Sequence, residues 1–323
     1  MKIQSQKQVI QGIVVTFGIQ FRVQVSPCQV YRVADHVSES LSGEDLKVER
    51  ILQPVSKQDV LYVEILVLCT KYAVDDSMIP TRKNKEPWKE VKLARIFRGS
   101  DCLNPNSKSS YLQDSQYVGH FGSSVDFCKK LGGVIDSYGD LKDRLIFIND
   151  GATWILVLCM KYEVREWIAD NYPMAVSVLD DYHALEYLYE FAEKAFPNAS
   201  SEKDKWCDGQ KDLLLASKVQ TVLENIGLEN AKEEEKKKII TYYENNKERM
   251  KYGQYRNIGC GIIGSGAIES AHRTVIQKRM KQSGQRWSFK GATNMLRLRV
   301  FSMNRQWAKV IDFLKIPTLA KCA

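Results

Sequence analysis

The sequence predicts an α/β fold, because strand patterns and helical patterns both occur and occupy different parts of the chain. Runs of β-branched and other apolar residues, typical of strands, lie at residues 60–64, 91–98, 145–148 and 175–179 and around Val74. Acids follow two of these runs, at Asp150 and at Asp180, and an α/β sheet presents acids at its edge in this way. After Asp181 the apolar residues recur at helical spacing almost without interruption.

Composition is that of an ordinary globular protein with one basic end. The chain is 44% hydrophobic and 27% charged, which are ordinary values for a globular protein. Its length of 323 residues predicts one large domain with an insertion or two smaller domains. The net charge of +8 is concentrated after residue 259, which favours nucleic acid over an acidic protein or a membrane as the partner. No charged-then-apolar leader and no apolar run of transmembrane length is present, so we expect a cytoplasmic, nucleoid-associated protein.

The cysteines argue against two small-domain classes. All 8 are scattered singly, without a CxxC pair. This spacing excludes a zinc ribbon and a disulfide framework and predicts free thiols in a reducing compartment.

One short helix is predicted near the start of the chain. Ser26 is a suitable N-cap, Pro27 suits the first helical turn, and the helix should continue to about Leu41. It could be the second helix of a helix-turn-helix or an ordinary surface helix. Residues 1–25 receive no assignment.

Helices dominate the second half of the chain. Apolar spacing without interior proline predicts helices at 182–196, 212–226 and 231–252. A final helix is predicted at 296–315, with Arg297, Arg299 and Arg305 exposed.

A single acid within a basic helix is the most informative local pattern. Ser265 reads as an N-cap, and the helix should run from there to about Gln282, before Gly284. Spacing of three and four residues puts Glu269, His272 and Arg273 on one face. A carboxylate among cations suits phosphate oxygens held beside a metal-binding acid. The alternative is a solvated basic helix whose Glu makes a salt bridge.

A ten-residue repeat is unexpected in such a chain. Residues 65–74, ILVLCTKYAV, and residues 155–164, ILVLCMKYEV, match at eight of ten positions. Two copies do not make a solenoid, which needs more copies at a regular period. We interpret residues 66–74 and 156–164 as inserted copies of one element, because removing them leaves continuous sequences around Asp75 and Asp150.

Four motifs together resemble DDE-type insertion-sequence transposases, close to the ISKra group and more distantly the Mutator-like enzymes. In order, they are YVEI with DDSMIPTR, FINDGATWI, VLDDYHALEYL, and IES-AHR followed by RMKQSGQRWS, and they span about residues 60 to 310. The resemblance implies an RNase H-like catalytic core interrupted by an all-helical insertion. It divides the chain into a short, mainly helical N-terminal region (1–58), the first part of the core (59–181), the insertion (182–258) and the last part of the core with basic helices (259–323).

The same resemblance implies the catalytic residues. Asp75, Asp150 and Glu269 match the three acids, although Asp76 stands where the family usually has Gly. Asp180 and His183 match the fixed positions of the (C/D)xxH element of Mutator-like relatives. His183 could equally be a capping or core histidine, and Asp150 could belong only to a strand-ending turn.

The implied chemistry is phosphodiester cleavage followed by strand transfer. Three converging carboxylates would hold two Mg²⁺ ions about 3.5–4 Å apart, with Mn²⁺ as a substitute. The partner would be double-stranded DNA, bound by a homodimer or larger assembly. The predicted DNA-binding residues are His272, Arg273, Arg279, Lys281, Arg286 and Trp287. Trp287 could stack on an unpaired base or belong to the core.

Two other functions remain open at this stage. A catalytically inactive, DNA-binding transposase remnant is favoured by the two inserted copies beside the acids and by the short N-terminal region. A structure-specific nuclease of the same fold would cleave DNA without strand transfer.

Overall fold

The computed structural model confirms a mixed α/β architecture. It describes residues 27–41, 55–56, 58–67, 78–80, 88–105, 111–141, 143–149, 158–197, 200–282 and 287–315. Within these ranges the strands are β1 (Leu61–Val67), β2 (Met78–Pro80), β3 (Trp88–Glu90), β4 (Lys92–Arg98), β5 (Cys102–Leu103), β6 (Tyr111–Leu112), β7 (Gln116–His120), β8 (Leu145–Asn149) and β9 (Val176–Leu179).

The helices in the same ranges precede, flank and follow the strands. They are α1 (Pro27–Ser40), α2 (Ser124–Asp136), α3 (Leu158–Asn171), α4 (Asp181–Ala195), α5 (Ser200–Leu215), α6 (Val219–Leu228), α7 (Glu233–Asn246), α8 (Tyr252–Tyr255), α9 (Gly266–His272), α10 (Lys278–Met280), α11 (Phe289–Met303) and α12 (Trp307–Lys315). None of these described helices is both long and apolar enough to cross a membrane.

Five strands form the central sheet in the order β7-β4-β1-β8-β9. The first three strands of this sheet in chain order, β1, β4 and β7, pair antiparallel, with Glu64 opposite Arg95. Strands β8 and β9 then extend the sheet parallel to β1. The carboxyl ends of β1, β8 and β9 therefore lie along one edge of the sheet.

Helices cover both faces of the sheet. Alternate residues of β1 separate the two sides: Val63 packs with α2 and α3, whereas Tyr62 packs with the helices that follow β9. A third cluster joins β4 and β7 to α9 and α11, with Leu93 and Leu296 at its centre. Both sides of the sheet are therefore buried, which explains the continuous apolar runs in its strands.

The N-terminal helix α1 packs against the C-terminal helices. Val37 and Leu41 are buried with Phe301 and Val310. The Arg297 Nη1 atom donates to the Ser38 carbonyl at 2.7 Å. Arg297 is therefore a structural contact and not the freely exposed cation predicted, because α1 covers it. Whether α1 belongs to a helix-turn-helix stays a prediction, since the residues before Pro27 lie outside the described ranges.

Most strand predictions are confirmed, but three helix predictions are wrong in length. The run 212–226 is divided between α5 and α6 at Ser217, which has φ 63°. The run 296–315 is divided between α11 and α12 at Arg305, with φ 59°. Neither break contains Gly or Pro, so spacing alone did not reveal it. The run 231–252 likewise ends as a regular helix at Asn246.

Strand β7 and helix α2 had no prediction. The Ser123 side chain accepts a hydrogen bond from the Asp126 N–H at 3.1 Å and so caps α2. This N-cap pattern is visible in the sequence and would have located the helix.

A buried arginine fastens the helical segment to the sheet edge. Arg249 is 6% exposed and donates to the Ser177 hydroxyl at 3.1 Å and to the Val178 carbonyl at 3.2 Å. It also donates to the Asn149 carbonyl at 3.1 Å, to the Asn149 side chain, and to the Asn246 side-chain oxygen at 2.8 Å. One guanidinium therefore holds the ends of β8 and β9 in place.

Replacing Arg249 by Met should lower the free energy of unfolding by about 3 kcal/mol, because several buried oxygens lose a charged donor. Urea unfolding of the full chain measures the change. The control is Lys247→Met on the neighbouring turn, which should change stability by less than about 0.5 kcal/mol. Equal effects of the two substitutions would contradict the role assigned to Arg249.

Candidate functional site

Two acids and a histidine meet at the carboxyl edge of the sheet. Asp180 directly follows β9, His183 lies in the first turn of α4, and Glu269 lies in the first turn of α9. Ligand atoms of these three side chains all lie within 4.8 Å of one another. Residues far apart in sequence thus form one small polar cluster.

Asp180 holds this cluster together. Its Oδ1 accepts hydrogen bonds from the Tyr182 N–H at 3.1 Å and the Ser265 N–H at 3.0 Å. Its Oδ2 accepts from the Ser265 hydroxyl and lies 2.5 Å from His183 Nδ1. A carboxylate has about four acceptor sites, so the structure already occupies those of Asp180. Ser265 contacts Asp180 instead of capping its own helix.

The charges around the cluster shift the pKa values of both acids. Burial alone would raise the pKa of Asp180, but the hydrogen bond and charge of His183 and the hydrogen bonds from Ser265 lower it below the usual value. The pKa of Glu269 is raised by burial and by the charge of Asp180. Asp180 is therefore the more strongly stabilised anion of the two.

A third acid, Glu64, lies near the cluster. Glu64 on β1 is fully buried, and burial together with the charges of Asp180 and Glu269 raises its pKa to about 8, against the opposing effect of Arg95. Sequence reasoning missed Glu64 and assigned Ser265 only as an N-cap, without its contact with Asp180. An acid inside the apolar run of β1 was the available signal for Glu64, because a strand core seldom contains a carboxylate.

Several predicted site residues lie outside the described residues, namely Asp75, Asp76, Asp150 and Arg286. Asp150 follows Asn149, the last residue of β8, in the sequence. The Asn149 carbonyl accepts a hydrogen bond from the Asp180 N–H at 3.1 Å, so the strand that leads to Asp150 adjoins the cluster.

The basic helix divides into buried and exposed parts. Arg273 is exposed, whereas His272 is only 4% exposed. Helical spacing placed Glu269, His272 and Arg273 on one face, but the structure buries His272, because α9 packs its side against the sheet. Its burial argues against a direct contact between His272 and DNA.

The helix continues from α9 to Met280 through a five-residue π-helical stretch, Arg273–Gln277. Such stretches widen a helix locally and often occur at functional sites. Lys281, at the helix end, is half-buried. Trp287 is half-buried, and its indole N–H donates to the Met280 carbonyl at 2.9 Å. This hydrogen bond gives Trp287 a structural role, and base stacking stays a prediction.

Two half-buried arginines lie on this helix and on α11, namely Arg279 and Arg299. Arg299 donates to the carbonyls of Thr274, at 2.6 Å, and Val275, at 3.3 Å. Burial and the charge of Arg299 lower the pKa of Arg279, and neither arginine forms an ion pair with a described acid. The expectation that Arg299 is freely exposed is corrected, since it binds the π-helical stretch.

Comparison with known sequences assigns the family. A model of the uncharacterised protein family UPF0236 matches residues 19–313. The chain belongs to this family. It is similar to a UPF0236 protein in the vanSb 3′ region of Streptococcus gallolyticus, 25% identical over 282 residues, which cover 84% of this chain and 55% of that relative.

Further UPF0236 relatives occur in Caldanaerobacter subterraneus subsp. tengcongensis. Two of them are each 25% identical over 269 residues, which cover 80% of this chain and 50% of the relative. This UPF0236 chain thus spans about half the length of the curated relatives it matches.

Removing the Ser265 hydroxyl should weaken the cluster. In Ser265→Ala, Asp180 loses one donor in a buried setting, so the free energy of unfolding should fall by about 1–2 kcal/mol. Chemical denaturation of the full chain tests this. Ser270→Ala, an exposed serine five residues along the same segment, is the control and should have almost no effect. A Ser265→Ala variant as stable as the wild type would show that the contact contributes nothing.

Proposed function

We propose that this UPF0236 protein is a metal-dependent DNA-cleaving and strand-transferring enzyme of the DDE transposase type. The observation that carries the proposal is the cluster of Asp180, His183 and Glu269 at the carboxyl edge of the sheet. Carboxylate oxygens are the ligands that Mg²⁺ and Mn²⁺ prefer, and Glu269 offers them here, while Asp180 fixes the position of His183 and of the segment that carries Glu269.

The sheet supports an RNase H-like core. Taken in chain order, its strands lie as third-second-first-fourth-fifth, with the second antiparallel to its neighbours. Acids follow the fourth and fifth of these strands in the sequence, and the last acid lies on a helix after a helical segment. This agrees with the resemblance to DDE transposases, which implies a core interrupted by an all-helical insertion before the last acid. Helices α4 to α8 occupy the place of the insertion between Asp180 and Glu269.

The chain's own side chains would divide the work of the reaction. Glu269 faces solvent in part and would contact the bound cation, which would activate the attacking oxygen and stabilise the leaving oxygen of the phosphodiester. Asp180 holds His183 and Ser265, so it fixes the geometry of the first turns of α4 and α9. Asp150 would add a carboxylate at the end of β8, and Asp75 is the remaining predicted acid.

The basic helix would bind the DNA backbone. Arg273 and Lys278 are exposed, and the Arg279–Arg299 pair brings two positive charges together without an acidic partner among the described residues. A phosphate between the two guanidiniums would relieve their repulsion and gain charged hydrogen bonds. The DNA would then lie beside Glu269, on the same helical segment.

Gene distribution in one relative also supports a mobile element. The name of one similar protein of Caldanaerobacter subterraneus joins eleven locus designations. A protein recorded at many loci of one genome is what repeated transposition would produce.

A catalytically inactive, DNA-binding remnant is the second candidate. The structure extends β1 through Leu66 and Val67, which are the first residues of the presumed inserted copy. In the sequence without that copy, Asp75 would directly follow Ile65 on β1. The insertion thus separates the first acid from the strand that would carry it.

Mn²⁺-dependent nicking of supercoiled plasmid tests the proposal. We expect nicking by the full chain and a loss of about 100-fold or more in Glu269→Gln, because a metal ligand is removed. Glu224→Gln, in helix α6, is the matched control and should nick like the wild type. A third protein lacks residues 66–74 and 156–164.

The deletion protein separates the two candidates. Nicking by the original chain that depends on Glu269 supports the transposase. Nicking by the deletion protein alone identifies the original chain as a remnant with disabling insertions. No nicking by either folded protein contradicts the assignment of the acids.

The arginine pair generates a separate prediction. Arg279→Ala should weaken binding to a DNA duplex severalfold. It should also reduce the slope of log Kd against log salt concentration by the contribution of about one phosphate contact. It should not lower the unfolding temperature, because removing one of two neighbouring cations relieves repulsion. Lys237→Ala, which removes an exposed charge on α7, is the control. An equal loss of DNA affinity in both variants would contradict a specific site at Arg279.

A further inference from the structure

Glu64 is a buried acid without an adequate structural explanation. Its side chain is fully buried on β1, and neither carboxyl oxygen makes a hydrogen bond of normal geometry with a described residue, although the Ile268 N–H lies near enough to favour the charged form. A buried carboxyl without partners costs stability. Such a group usually has a ligand or a reaction to serve.

The arginine opposite Glu64 donates its hydrogen bonds to other residues. Arg95 pairs with Glu64 across the β1–β4 register, but its Nε donates to the Ser115 hydroxyl at 2.9 Å and its Nη1 to the Ala267 carbonyl at 2.9 Å. No ion pair joins Arg95 to Glu64 among the described contacts. Arg95 therefore moderates the buried charge from a distance and does not bind the carboxylate.

Glu64 faces the cluster at the sheet edge. It lies on the same side of β1 as Tyr62, the side covered by the helices after β9, and helix α9, which carries Glu269, packs against β1. Because four donors already occupy the Asp180 oxygens, the carboxylates with open acceptor sites are those of Glu64 and Glu269. A hard divalent cation needs such oxygens.

We infer that Glu64 is a ligand of the cation site, and that Glu64 and Glu269 together supply its open carboxylates while Asp180 positions His183 and Ser265. The resemblance to DDE transposases did not assign Glu64 any role. This inference rests on the proposed cation-dependent function. It places a β1 carboxylate at the site even though the insertion moves Asp75 nine residues along the chain.

Calorimetric titration of the full chain with Mn²⁺ tests the inference without requiring activity. We expect Glu64→Gln to weaken Mn²⁺ binding about tenfold or more, as Glu269→Gln should. Glu186→Gln removes a nearby carboxylate on the exposed side of α4 and should change the affinity by less than about threefold. Glu64→Asp keeps a carboxylate and should bind with intermediate affinity.

Thermal unfolding with and without Mn²⁺ shows whether Glu64→Gln loses Mn²⁺ binding only because it folds poorly. Glutamine has the shape of a neutral Glu, so metal-free Glu64→Gln should unfold at or above the wild-type temperature while losing the stabilisation by Mn²⁺. If Glu64→Gln unfolds earlier, Glu64→Asp decides, and an unchanged Mn²⁺ affinity in that variant overturns the inference.

Different failures point to different conclusions. If Mn²⁺ binding depends on Glu269 but is unchanged in Glu64→Gln, the inference is wrong and the proposed function stands. If the wild-type chain binds no Mn²⁺, the cation site itself is absent and both fail. Joint dependence on Glu64 and Glu269 supports both.

Discussion

The hydrogen bonds of Asp180 are the interaction on which the site depends. This one carboxylate joins the end of β9, the first turn of α4 and the start of α9. Gly264 makes the approach possible, because a Cβ atom there would overlap the Asp181 carboxylate. The two segments that Asp180 joins are separated by the whole helical region α4 to α8, so the position of Glu269 is fixed by a contact and not by chain proximity.

The helical region also makes hydrogen bonds to the strands that end at the site. Arg249 binds Asn149 at the end of β8 and Ser177 and Val178 in β9. The helical region is thereby part of the scaffold of the site and not only an addition to its surface. A buried guanidinium bound to neutral oxygens is costly to assemble, but once formed it leaves little freedom for the strand ends that carry the acids.

Acidic and basic side chains form separate groups in neighbouring parts of the structure. Acids gather at the sheet edge, where burial and mutual repulsion raise the pKa values of Glu64 and Glu269. Cations gather on the basic helix and on α11, where Arg279 and Arg299 lack acidic partners among the described residues. A divalent cation would balance the negative charge of the acids, and a phosphate would balance the positive charge of the arginines. A phosphodiester held by metal ions would supply the cation and the phosphate together.

The sequence by itself determined the local structure where the residue types of one short segment were sufficient to specify it. Apolar runs specified four strands of the sheet, Pro27 marked the start of α1, and the basic composition of the last segment indicated an anionic partner. The family motifs also located Asp180, His183 and Glu269 before their contact was known. Only the tertiary structure decided that Glu64 is fully buried on the side of β1 that the later helices cover, that His272 is buried, and that Ser217 and Arg305 interrupt helices. Each of these depends on what packs against the residue, and contacts between distant segments leave no periodic trace in the sequence.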